Sequence, residues 1–96
     1  MRIVSRKAIR EATARHSGWG ASLNAWYKIT REVDWKNFAE VRDSWRNSDV
    51  VGDFVVFDIG HNKCRLIATI KYKWRMVYIR RILSHAEYDQ EEWKKS

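Results

Sequence analysis

The chain has 96 residues, 45% of them apolar and 32% charged, which allows one folded domain with a single modest core and excludes a disordered chain. Its 19 Lys and Arg against 12 Asp and Glu give a formal charge of +7, which favours a polyanionic partner without separating RNA, DNA, an anionic membrane and an acidic protein. Cys64 is the only cysteine, so no intrachain disulfide can form, and no Cys/His cluster at ligand spacing points to a metal. No apolar run approaches the roughly 20 residues of a membrane span, and no leader pattern opens the chain. The expectation is a cytoplasmic protein, 1–96 forming one domain, with no membrane association, no metal and no cofactor.

In chain order, Arg2 to Val4 can form a short strand. Ser5 then stands at the N-cap of a helix running to about His16, with Ala8, Ile9, Ala12 and the stem of Arg15 on one face. Ser17-Gly18 interrupts it. A second helix, Ala21 to Val33, offers Leu23, Trp26, Tyr27 and Ile29 as its apolar face, and Asn37 caps a third through Trp45 that presents Phe38, Val41 and Trp45, burying Val41 first. Trp19, Trp26 and Trp45 are expected in the core.

The period changes in the second half. Phe54 to Ile59 is β-prone, and Gly60-His61-Asn62-Lys63 is a hairpin turn. From Lys63 to Lys73 the odd positions (Lys63, Arg65, Ile67, Thr69, Lys71, Lys73) make one face, predominantly basic, while Cys64, Leu66, Ala68, Ile70 and Tyr72 make a core face. A third strand, Met76 to Leu83, pairs back across Lys73-Trp74. That turn sets Thr69 opposite Tyr78 and Ile67 opposite Arg80, leaving Met76, Tyr78, Arg80 and Ile82 on the basic face and turning Val77, Ile79 and Leu83 toward the helices. The predicted fold is α+β: N-terminal helices packed on an antiparallel sheet, with a short C-terminal helix.

Between Gly60 and Ala86 there is no Asp or Glu. Lys63, Lys71, Lys73, Trp74, Arg75 and Tyr78 are therefore the RNA-binding candidates, a cationic surface with aromatic rings on which single-stranded bases can stack.

Residues 84–89, SHAEYD, allow two readings. Ser84 and Glu87 fit a capping box, with His85 an exposed first-turn residue of the helix that carries Glu91, Glu92 and Trp93. The other reading is metal-free RNA cleavage, which needs a base for the 2′-hydroxyl proton, cations for the phosphorane charge and an acid for the departing 5′-oxygen. Histidine exchanges a proton near neutral pH, Asp89 can orient it, Tyr88 can hydrogen-bond or stack, and Arg65, Lys71 and Arg80 can hold phosphate.

The run from Val56 to Asp89 resembles the HigB family of toxins from type II toxin-antitoxin modules, within the RelE-like superfamily. Gly60, Asn62-Lys63, Arg65-Leu66-Ile67-Ala68, Val77-Tyr78-Ile79-Arg80 and His85-Ala86-Glu87-Tyr88-Asp89 match the family pattern. His61 stands where a second glycine is usual, and Ser84 where threonine is usual. The resemblance implies a RelE-like fold, endoribonuclease activity on mRNA on the translating ribosome, and neutralisation by a HigA-like antitoxin with a helix-turn-helix domain. Carried over by position, it nominates Arg65, Arg80, His85, Tyr88 and Asp89 as catalytic residues.

Overall fold

In the computed structural model, which describes residues 1–95, the elements run β1 (Arg2–Val4), α1 (Arg6–Arg15), a 3₁₀ turn (Ser17–Trp19), α2 (Gly20–Glu32), α3 (Phe38–Ser44), β2 (Ser48–Val51), β3 (Phe54–Ile59), β4 (Cys64–Lys71), a 3₁₀ turn (Tyr72–Trp74), β5 (Met76–Ser84), α4 (His85–Asp89) and a last 3₁₀ turn (Glu92–Lys95). The strands form one sheet in the order β1-β5-β4-β3-β2, antiparallel throughout except that β1 lies parallel to β5. This is the expected α+β architecture, with β1 added in parallel at one edge. Among the described residues no helix is long and apolar enough to cross a membrane.

The helices start and face inward for local reasons. Asn37 caps α3 by accepting from the Glu40 amide at 3.1 Å, and Val41 is fully buried. Ser5 occupies the N-cap of α1, but its side chain accepts no capping bond, and Arg15 is exposed rather than part of the apolar face, which reduces to Ile9 and Ala12 with Ala8 half-buried. On α2 the buried stripe is Leu23, Trp26 and Thr30. Ile29 is exposed, because it lies about 100° round the helix from Thr30.

One face of the sheet packs against these helices, around Phe57. The Trp26 and Trp45 rings meet Phe57 edge-on at 5.3 and 6.5 Å, and Trp35 lies nearly parallel to it at 6.0 Å. Leu66, Ala68, Val77 and Cys64 complete this core. Burial raises the Cys64 thiol to about 11, as expected of a small core hydrophobe.

The β3–β4 turn depends on left-handed backbone. Gly60 has φ +63°, and a Cβ there would come within 2.7 Å of Ser22 Oγ; His61 and Asn62 follow at +53° and +69°. His61 thus takes the backbone conformation that suits glycine.

The β4–β5 ladder corrects the face assignment. Thr69 lies opposite Tyr78 as expected, but a bulge falls between Ile67 and Ala68 on β4, and Ile67 faces Arg81 instead of Arg80. Arg80 is the extra residue. Beyond it every side chain changes face, so Ile82 turns into the helix-side core and Leu83 joins the opposite face, the reverse of the simple alternation. Ile67 is not part of an open basic surface either. It is fully buried with Val56 beneath Trp93, and Phe54, Leu83 and Tyr88 pack around them. Trp93 reaches this position from the last 3₁₀ turn, since α4 ends at Asp89 and does not extend through it.

Candidate functional site

Antiparallel pairing of β3 with β4 sets Asp58 directly opposite Arg65. Their side chains are only 22% and 14% exposed and meet at 2.8 Å, Arg65 Nη1 to Asp58 Oδ1. The second guanidinium nitrogen donates to Asn62 Oδ1 at 3.1 Å, and Asp58 Oδ1 also accepts from the Asn62 amide at 3.0 Å. The turn and the ion pair therefore fix each other. Above them the guanidinium carbon lies 5.4 Å from the centre of the Tyr88 ring, which stacks on Trp93 at 5.1 Å with planes 18° apart. Trp93 Nε1 donates to the Tyr88 carbonyl at 3.0 Å. Arg65 is held in one orientation by a carboxylate, an amide oxygen and an aromatic face, which leaves little rotamer freedom to lose when a ligand arrives.

Beside Arg65 is a polar depression of about 280 Å³ lined by Arg42, Arg46, Asn47, Asp49, Asp58 and Tyr88, with Val56 at its base. Arg42 comes from the last turn of α3 and Arg46 from the loop before β2. Among the described residues neither has a carboxylate partner within ion-pair distance. Three arginines against two carboxylates, one of which is committed to Arg65, give this depression a net positive lining.

Helix α4 begins where β5 ends. The Ser84 hydroxyl accepts from the Glu87 amide at 3.2 Å, and the Glu87 carboxylate accepts from the Ser84 amide at 2.9 Å, a complete capping box. These bonds, the backbone one foremost, hold the Glu87 carboxyl below its ordinary value. One turn along, His85 Nδ1 lies 3.1 Å from Asp89 Oδ2, both side chains about half exposed. With Nδ1 tied to the carboxylate, Nε2 is the nitrogen left to exchange a proton with a bound molecule. His85, Tyr88 and Asp89 share the short helix at i, i+3 and i+4, so the capped helix holds the His85–Asp89 pair and the Tyr88 ring in fixed relation.

The remaining candidates lie in other places. Arg80, the bulge residue, donates from Nε to Thr69 Oγ1 at 3.1 Å, covers the Tyr78 ring at 5.3 Å, and borders a shallower hollow with Lys71, Asp53 and Phe54. Lys73, Trp74 and Arg75 sit at the far end of the β4–β5 hairpin, where Lys73 covers the Trp74 ring at 5.2 Å, Trp74 is 69% exposed and Arg75 pairs with Asp34 at 3.4 Å. Six residue steps along β4 lead from Arg65 to Lys71 at about 3.3 Å each, so this tip is on the order of 20 Å or more from the depression. Lys63 reaches toward the Gly18 carbonyl at 3.4 Å. The structure brings Arg65 and Tyr88 together, carries the His85–Asp89 pair on the same short helix as Tyr88, and leaves the hairpin tip apart from them.

Arg42 and Arg46 are absent from the sequence-derived set. They reach the site only through the fold of α3 and β2, and no local pattern marks them. A signal for β2 itself was present, since Gly52-Asp53 is a two-residue hairpin turn with Gly52 at φ +61° between Val51 and Phe54.

A sheet covered by helices on one side, with an arginine-lined depression and a capped histidine helix at one end, belongs to a recognised class. Residues 20–91 match the family described as HigB toxin, the RelE-like toxic component of a toxin-antitoxin system. The match covers most of the chain, which therefore belongs to the HigB toxin family. Among curated proteins it is similar to the mRNA interferase HigB of Escherichia coli O6:H1, 28% identical over 93 residues, covering 94% of this chain and 90% of the relative. It is also similar to the mRNA interferase toxin HigB of Escherichia coli K12 and the mRNA interferase HigB of Shigella flexneri, each 25% identical over 92 residues, with 93% of this chain and 88% of the relative covered.

Proposed function

We propose that the chain acts as a single toxin domain, an endoribonuclease that cleaves mRNA on the translating ribosome, without a metal ion, and thereby stops translation and growth. The observation that carries this reading is the Arg65 arrangement: a guanidinium fixed by Asp58, Asn62 and Tyr88 at the rim of an arginine-lined depression, with a His85–Asp89 pair on the helix that supplies Tyr88.

In the proposed reaction the 2′-oxygen of a ribose attacks the adjacent phosphorus as its proton leaves, the P–O5′ bond breaks, and the departing 5′-oxygen takes up a proton. The products are a 2′,3′-cyclic phosphate and a 5′-hydroxyl. Arg65, with Arg42 and Arg46, neutralises the extra charge on the phosphorane, an effect that is largest when the cation is already fixed in place. Tyr88, its ring engaged by Arg65 and Trp93, hydrogen-bonds the phosphate through its hydroxyl. His85 transfers a proton through Nε2 while Asp89 holds Nδ1. The ribosome contributes by holding the mRNA bent so that the 2′-oxygen lies in line with the breaking bond. Arg80, with Lys71 and Tyr78, guides the strand toward the site. A cognate HigA-like antitoxin carrying a helix-turn-helix domain neutralises the toxin in the cytoplasm.

The test is primer extension on a reporter mRNA after brief induction, with and without active translation, comparing wild type with His85→Ala and Arg65→Ala. New 5′ ends that require translation and vanish in both variants are expected. Salt-dependent RNA binding without new ends, from folded wild-type protein, would overturn cleavage and leave a binding module.

A further inference from the structure

Strand β5 is nine residues long, but β1 pairs with only its first three, Met76, Val77 and Tyr78. On its other side β4 accompanies β5 all the way to Ser84. A strand paired on one side turns alternate backbone N–H and C=O groups outward, so residues 79–83 present a bare edge. Among the described residues no strand or loop backbone bonds to that edge. Beyond β1 the chain continues as α1, which lines the edge with Glu11 and Arg15 but leaves a cleft of about 300 Å³ between itself and Arg80–Leu83, with Glu87 on its wall. This cleft continues, through Arg81, Leu83 and Glu87, into a hollow of about 280 Å³ beside Gln90 and Trp93.

The charges along the cleft are unequal. Arg15, Arg80 and Arg81 have no carboxylate within ion-pair distance among the described residues. Of the two carboxylates present, Glu11 pairs with Lys7 at 3.8 Å and Glu87 is engaged in the Ser84 cap while also feeling the charge of Arg15. Positive side chains and a bulge keep an exposed edge from pairing with another copy of itself, since two such edges repel. They do not repel an acidic strand.

We infer that the outer edge of β5 from Ile79 to Leu83 is a docking slot for an extended, acidic segment of a partner protein, which adds to the sheet as a strand beside β5. Its backbone pairs with the open N–H and C=O groups, and its carboxylates meet Arg15 and Arg81. RNA fits this edge less well, because phosphates and bases have no use for a row of alternating backbone donors and acceptors. The inference rests on the toxin reading only in taking the partner to be a protein, for this family the antitoxin. The slot leaves the Arg42–Arg65 depression uncovered, so a segment seated there restrains the toxin without filling the candidate site.

Amide hydrogen exchange followed by NMR on the whole chain, with a seven-residue peptide alternating glutamate and valine as probe, tests this directly. The peptide is expected to slow exchange of outward amides within residues 79–83. Methylating the peptide's alternate backbone nitrogens, or the double change Arg15→Glu with Arg81→Glu, is expected to weaken binding about tenfold or more. The double variant keeps the RNA cleavage of wild type, which separates this result from the test of catalysis. Unchanged exchange at 79–83, equal binding by the methylated peptide, or stronger protection by a short single-stranded RNA would each overturn the slot.

Discussion

The two ends of the β4–β5 hairpin carry the same kinds of residue and are held in different ways. At the turn of the tip, Lys73, Trp74 and Arg75 are exposed, and their contacts are a cation over a ring and one surface ion pair, which contribute little to order. At the other end Arg65 is largely buried and held by Asp58, Asn62 and Tyr88, with Tyr88 fixed in turn by Trp93. Charge and aromatic rings are common to both ends; fixed orientation belongs only to the Arg65 end, the one the proposed function makes the centre of the chemistry.

The sharpest way to break that contrast is to change the two ends separately. Arg65→Ala is expected to lower cleavage about 10²–10³-fold, the usual loss when one preorganised stabiliser of developing charge is removed, measured as the yield of new 5′ ends. Arg65→Lys keeps the charge, loses the fork that reaches Asp58 and Asn62 together, and should fall between the two. Trp93→Ala removes the lid over Ile67 and Val56 and is expected to destabilise the fold by about 3 kcal/mol, read as a drop in midpoint in urea. It should also loosen Tyr88, so its cleavage defect should exceed what the fraction unfolded explains.

Ser84→Ala removes one half of the α4 capping box and is expected to cost about 1 kcal/mol, with a matching loss of amide protection in residues 85–89. The same cap predicts a pH effect. Because the Glu87 carboxyl is held below its ordinary value, its contribution is fully present above that value and is lost as pH falls through the lowered one. Amide shifts of α4 should therefore titrate below the ordinary glutamate range in wild type, and Glu87→Gln should abolish that step. At the other end Trp74→Ala is expected to change stability by no more than about 0.5 kcal/mol and to leave the positions of cleavage unchanged. Loss of cleavage in a folded Trp74→Ala variant would show that the tip belongs to the reaction and that fixed orientation is the wrong criterion.

What the sequence reveals is local, and what it hides depends on distant parts of the chain. The Asn37 cap, the Gly60–Lys63 turn, the Ser84–Glu87 box and the Thr69–Tyr78 pairing are set by residues a few positions apart, and the structure contains all four. The bulge at Arg80 is different. Period-2 alternation has no term for an inserted residue, so Ile82 and Leu83 exchange faces without any change in their own character. The burial of Ile67 depends on Trp93, 26 positions later in the numbering, as the recruitment of Arg42 and Arg46 depends on the packing of α3 and β2. Arg65, Tyr88, His85 and Asp89 were legible as candidates because they lie within the resembling stretch; the Asp58 partner that orients Arg65 became visible only with the β3–β4 register.

Cys64 is directly next to Arg65 in β4, fully buried, and its thiol is raised to about 11. Alkylating reagents react with thiolate, so at neutral pH this sulfur is both shielded and chemically quiet until the sheet around it opens. The protein thus contains its own clock for unfolding: the rate of thiol modification reports how often the β3–β4–β5 centre comes apart, from a single natural atom. It also means that a dye-bearing cysteine placed on the surface, at the hairpin tip for instance, can be labelled selectively with Cys64 left in place.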